Sequence, residues 1–146
     1  MMLFSDVRSR SVISVSGAET VGTIAACTIA ASPSRVAGFR LKTRGMGGHV
    51  LPWDDVLAMG NDAVTIRSAE NLQAGKDVDS ADPVHKSREP LGKPLLTENG
   101  EVLGTVIDID FDERTGRISR LISTEAEIRG DQILGTGTFA LVVGAD

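Results

Sequence analysis

The chain contains no tyrosine, one tryptophan and four phenylalanines, so aromatics make up only 3% of its 146 residues. A core built from it must be largely aliphatic, and platforms for stacking nucleic-acid bases are scarce. Cysteine occurs once, at Cys27, which excludes an internal disulfide and points to a reducing, cytoplasmic setting. Histidine occurs only at His49 and His85, so no His/Cys cluster with zinc or transition-metal spacing is available. No apolar run reaches the roughly 18 residues that a membrane-crossing helix needs. The Met1-Met2-Leu3-Phe4 start lacks the basic region and long apolar stretch of a signal peptide.

A strong positive charge is missing too. The net charge is −5, carried unevenly. Residues 1–73 hold seven basic and six acidic side chains; residues 74–146 hold eight basic and fourteen acidic. An acidic second half repels phosphate backbones at long range and suits a basic partner, although ordinary solubility explains it more simply.

What is present favours strands. Apolar residues make up 41% of the chain, with sixteen glycines and many Val, Ile and Thr. The clearest segment runs from Asn99 to Ile122 and reads as one long β-hairpin. Asn99-Gly100 opens it as a turn. Val106, Ile107, Ile109 and Phe111 are assigned to one side, and Asp108, Asp110 and Asp112 to a wet face. Glu113-Arg114-Thr115-Gly116 turns the chain, and Arg117 to Leu121 returns.

The earlier part repeats this plan. Leu3–Val7 and Val12–Val15 are expected strands, followed by Val21–Ala31 and Arg35–Lys42 around a Pro33-Ser34 turn. A shift of 82 residues lays Glu19 on Glu101, Gly22 on Gly104, Thr23 on Thr105, Arg35 on Arg117 and Gly48 on Gly130. Apolar positions agree as well: Ile24 with Val106, Ile29 with Phe111, Val36 with Ile118, Phe39 with Leu121, Leu51 with Ile133. The simplest account is a duplicated β module. The first copy has Ala26, Thr28 and Ala30 where the second has its aspartates, so its outer face should be covered, by the other module for example. Asp54-Asp55 is expected to open a helical turn through Met59, before a closing strand at Ala63–Ile66. The counterpart of that strand is Phe139–Val143. The modules span residues 1–72 and 89–146, with 73–88 as a linker and a helical turn at Ala69–Gln73. Each is too small for a secure core alone, so the two should pack together.

Two groups of residues then resemble a known family. One is the Asn-Gly turn, Glu101-Val102-Leu103-Gly104-Thr105-Val106, the acidic strand, the Gly turn and Arg117-Ile118-Ser119-Arg120-Leu121. The other is Val50-Leu51-Pro52-Trp53-Asp54-Asp55-Val56 followed by Asp62-Ala63-Val64-Thr65-Ile66. Both resemble the PRC-barrel family, known from the cytoplasmic domain of the photosynthetic reaction-centre H subunit and the C-terminal domain of the ribosome maturation factor RimM. The resemblance implies a small β-barrel used as a docking module, and with the repeat it leads to the expectation of an all-β fold of two small PRC-type barrels, non-enzymatic and without a cofactor. A photosynthetic or ribosomal role is not carried over. The H subunit's spanning helix has no counterpart here. RimM's aromatic entry motif is replaced by Arg88-Glu89-Pro90-Leu91-Gly92.

Chemistry-bearing residues are few. Asp108, Asp110 and Asp112 are weak candidates for a hard cation such as Ca²⁺. The EF-hand pattern fails, with Glu113 at its glycine position and Ser119 at its final acid. His49 and His85 read as loop surface. Gly45-Met46-Gly47-Gly48 reads as a hairpin loop, without the Lys-Ser/Thr of a phosphate loop. Arg35, Arg40, Lys42 and Arg44 form the one basic strip, a candidate site for a partner or for RNA. Trp53 reads as a packing anchor, or as a partner contact if exposed. The expectation is a protein-docking module whose partner is a protein or a second copy of the chain. RNA or ribosome association through the basic strip is the alternative.

Overall fold

The computed structural model describes residues 1–44 and 48–145. Gly45, Met46 and Gly47 of the glycine-rich loop lie outside the described residues. The chain opens with β1 (Met2–Leu3) and one helical turn, α1 (Phe4–Val7). The expected first strand at Leu3–Val7 is therefore mostly helical. Seven strands follow: β2 (Ser11–Ser14), β3 (Glu19–Ala31), β4 (Ser34–Lys42), β5 (His49–Pro52), β6 (Val56–Met59), β7 (Ala63–Ile66) and β8 (Gln73–Ala74). The second half adds β9 (Pro94–Thr97), β10 (Val102–Phe111), β11 (Ile118–Ser123), β12 (Glu127–Arg129), β13 (Ile133–Thr136) and β14 (Leu141–Val143).

These form two sheets with one strand order. The first runs β6-β7-β2-β3-β4-β5 and the second β13-β14-β9-β10-β11-β12. Each contains one parallel pair at the matching place, β2 with β7 and β9 with β14. The fold is thus all-β, with two barrel-like units. β8 extends the first sheet beyond β5, and β1 attaches to β10 of the second.

The repeat is visible in the core. Ile24 and Val106, Ile29 and Phe111, Val36 and Ile118, and Phe39 and Leu121 are all buried. The ungapped alignment does not hold further along. A 3-10 turn at Trp53–Asp55 corresponds to one at Gly130–Gln132, and β5 corresponds to β12. Gly48, just before β5, and Gly130, in the 3-10 turn, therefore occupy different places, and Leu51 in β5 and Ile133 in β13 occupy different elements. The second unit reaches its 3-10 turn by a shorter path. The helical turn expected at Asp54–Met59 is this 3-10 turn, after which Val56–Met59 is a strand. β-branched and apolar residues there favour an extended chain over a continued helix.

One hydrophobic core contains residues of both sheets. Its two halves exchange their entry segments. β1 and α1 precede the first sheet but pack on β10 of the second, where Met2 pairs with Phe111 and Leu3 with Asp110. The 3-10 turn at Lys86–Arg88 precedes the second sheet but packs on β3 of the first, as does β13. This covers the outer face of β3: Ala26 and Thr28 are buried and Ala30 is half-buried. At the centre of the exchange, Arg35 forms an antiparallel bridge with Arg117, its own counterpart in the repeat. The Val36 amide donates to the Gly116 carbonyl at 2.7 Å.

Residues 73–88 run along the first sheet. β8 pairs with β5, and Val78 and Val84 join Ala37 and Val50 in a small second cluster. The expected helical turn is a 3-10 turn at Ala69–Asn71, capped by the Ser68 side chain.

Gly130 shows how tightly the second unit is packed. A Cβ there would overlap the backbone carbonyl of Ile118 on β11. Neither backbone can move without breaking the ladder that Arg120, Leu121 and Ile122 make with β12. Gly130→Ala is expected to cost about 2–3 kcal/mol as an overpacking defect, read as a lower urea midpoint at unchanged slope.

Candidate docking surface

Four of the five aromatic side chains form one row through the molecule. Phe4 stacks on Phe39 with centroids 6.4 Å apart; Phe39 meets Trp53 at 6.0 Å; Trp53 meets Phe111 edge-on at 6.0 Å. Phe39 belongs to the first sheet and Phe111 to the second, so Trp53 bridges the units. The 3-10 turn aims its ring over Gly116, where a Cβ would lie 2.9 Å from the indole. Gly116 also has φ +80°, which a side chain would strain.

The fifth aromatic is Phe139, and it is 80% exposed. Sequence pattern assigns it to the closing strand, but β14 begins only at Leu141. Phe139 stands in the turn between β13 and β14, where the Gly137 amide donates to the Ala140 carbonyl at 3.2 Å. Two cations hold this turn from below. Arg88 Nη1 donates to the Thr136 carbonyl at 2.6 Å. Lys93 Nζ donates to the carbonyls of Gly137 at 2.8 Å and Ser87 at 2.6 Å. Partial burial pulls the Lys93 pKa below its ordinary value, with the nearby Glu89 carboxylate opposing the shift. Leu134 is 56% exposed on β13, the strand that leads into this turn and an edge strand of its sheet. An exposed aromatic on a fixed turn offers apolar area at a small backbone ordering cost.

The basic strip does not act as one surface. Arg40 makes two bonds to Glu89, from Nε at 2.8 Å and Nη2 at 3.2 Å. Hydrogen bonding to Glu89 raises the Arg40 pKa and keeps the guanidinium committed. Arg35 lies at the join between units, about 23 Å of strand from Lys42. Lys42 and Arg44 are exposed and, with His49, flank an open groove of about 870 Å³ between the start of β3 and Leu72. Thr43 Oγ1 and His49 Nδ1 are 3.0 Å apart on its wall.

The three aspartates are separated by their partners. A register shift between Val106 and Asp108 breaks the alternation of β10, so Ile107 is exposed while Val106 and Ile109 both face the core. Asp108 Oδ1 accepts from the amides of Ser5 at 3.1 Å and Ile109 at 2.9 Å. Asp110 is not on a wet face: it is buried, and its Oδ2 accepts from Arg120 Nη2 at 2.9 Å and Nε at 3.2 Å. Arg120 also reaches Glu127. Asp112 Oδ1 accepts from the Arg114 amide at 2.7 Å and the Thr115 amide at 3.3 Å, which lowers its pKa. Each carboxylate serves a different structural bond. Among the described residues, no group of three His, Cys, Asp or Glu side chains is placed to hold a metal ion.

Comparison with family models finds the PRC-barrel domain at residues 82–139. Over those residues the chain is similar to PRC-barrel domains. The match begins in the segment covering the first sheet and ends at Phe139 itself. No curated protein matches the chain.

Within the matched residues fall Arg88, Lys93, the aspartates and Phe139. Trp53 and the basic strip belong to the first unit, which the family model does not cover and whose kinship rests on the shared strand order. Among the described residues no helix is long and apolar enough to cross a membrane. Cys27 is buried in β3, and desolvation raises its thiol pKa well above the ordinary value, which disfavours the nucleophilic thiolate. Phe139 escapes sequence reasoning because a lone phenylalanine beside an apolar run looks like core. The Gly135-Thr136-Gly137-Thr138 stretch before it was the available signal of a turn.

Proposed function

We propose that this chain is a non-enzymatic docking module that recognises a protein partner through the turn carrying Phe139 and the adjoining edge strand β13. The observation that supports it is the 80% exposure of Phe139, while the other four aromatics are packed in one row. Large exposed aromatics on a rigid backbone are typical anchors of protein interfaces. The small β-barrel architecture of the PRC-barrel domain supports the same reading.

The test is affinity capture from native lysate with tagged wild type and Phe139→Ser, each with and without nuclease. A defined protein should be retained after nuclease treatment and lost with Phe139→Ser. The thermal midpoint of the variant should stay nearly unchanged, since an exposed substitution costs within about 0.5 kcal/mol. Loss of all captured material on nuclease treatment would overturn docking in favour of nucleic acid at Lys42 and Arg44. Recovery of the chain alone would leave self-association, which light scattering measures.

A further inference from the structure

A second surface adjoins the Phe139 turn. Lys93 Nζ bonds both the Gly137 carbonyl and the Ser87 carbonyl, tying the turn to the Lys86–Arg88 segment. On the other side of that segment lies a cleft of about 430 Å³. Its floor is Val50, Val78 and Val84, from the small cluster apart from the main core. Its rim carries Arg40, Lys76, Lys86, His85 and a single carboxylate, Glu89.

The charge of this rim sets it apart. Glu89 is neutralised by its two bonds to Arg40. Lys76 and Lys86 are exposed and make no ion pair among the described residues. His85 is committed to its own turn, where Nδ1 accepts from the Ser87 amide at 3.1 Å. Among the described lining residues this leaves two ammonium groups outside any ion pair over an apolar floor, with Asp77 next in sequence to Lys76 and outside the lining. Two free lysines on the rim favour an acidic ligand, and charge complementarity of this kind selects both partner and orientation. The valine floor adds what a bare anion cannot use: a slot for an aliphatic side chain.

We infer that the cleft bounded by Val50, Val78, Val84, Lys76 and Lys86 binds an acidic peptide segment of a protein partner, one aliphatic side chain resting on the valines and flanking carboxylates meeting the two lysines. This rests on the docking reading and specifies the chemistry of the partner.

The probe is a capped synthetic peptide, Glu-Asp-Leu-Asp-Glu, titrated into ¹⁵N-labelled full-length chain. Shift changes should concentrate at Val50, Val78, Val84 and their neighbours. The Lys76→Glu/Lys86→Glu double variant keeps its fold, because both side chains are exposed, and should bind about tenfold more weakly or worse. Replacing the peptide's leucine with serine should weaken binding, and replacing its acids with lysines should abolish it. Phe139→Ser should bind the peptide as wild type does. Shifts elsewhere, equal shifts from the lysine peptide, or an unaffected double variant would overturn the inference. The docking reading fails separately: it falls if Phe139→Ser leaves lysate capture intact, and it survives if only the cleft titration fails.

Discussion

Phe4→Ala is expected to unfold the protein more readily by about 3–5 kcal/mol, the usual cost of deleting a fully buried phenylalanine ring. Phe4 is fully buried although it sits in a helical turn of only four residues. That turn has no stability of its own, because a single turn orders several residues for one hydrogen bond. It is held by tertiary contacts: Phe4 on Phe39, the Ser5 amide on Asp108, and Val7 in the shared core. Loss of the ring leaves a cavity between β4 and β10 that the aliphatic neighbours cannot fill. Thermal unfolding should fall by roughly 10 °C, at 2–4 °C per kcal/mol for a chain of this length. Trp53 provides the probe, since there is no tyrosine and no second tryptophan. Its emission and the far-UV circular dichroism should change together in one transition. Two separate transitions would show that the units unfold independently and that the exchanged entry segment does not couple them.

Trp53→Ala is expected to cost about 3 kcal/mol, at the low end for a tryptophan because the ring is only half-buried. The ring carries the contact between units: it touches Phe39, Phe111 and the bare backbone of Gly116. Trp53→Phe should recover much of the loss, since a smaller ring keeps the edge-on geometry and leaves a smaller void. Chemical denaturation followed by circular dichroism measures both variants. If Trp53→Ala matched wild type in stability, Trp53 would not be the bridge, and its exposed edge would have to be reconsidered as a partner contact.

Much of the fold was legible because strand formation is written locally. Val21–Ala31 is rich in β-branched residues, and the structure makes Glu19–Ala31 one strand. Buried positions recur at an offset of 82, from Ile24 and Val106 to Phe39 and Leu121, because duplicated hairpins need the same inward faces. Gly100 and Gly116 marked turns correctly, each with positive φ. Turn chemistry is a property of a few adjacent residues.

The rest depended on neighbours distant in sequence. Asp108, Asp110 and Asp112 looked like one wet face, because alternation alone cannot show a bulge or where the strand ends. Arg120, across the ladder, draws Asp110 inward, while Ser5 engages Asp108 from a hundred residues away. The basic strip looked continuous until Glu89 claimed Arg40. Leu3–Val7 looked like a strand, yet its burial against the second sheet made a helical turn the better fit. Sequence by itself determined an all-β chain of two related units, since periodicity and turn residues act over a few bonds. Tertiary structure alone decided that the units exchange their entry segments, that Trp53 joins them and that Phe139 is left outside. Those outcomes depend on which surfaces compete for burial once both sheets have formed.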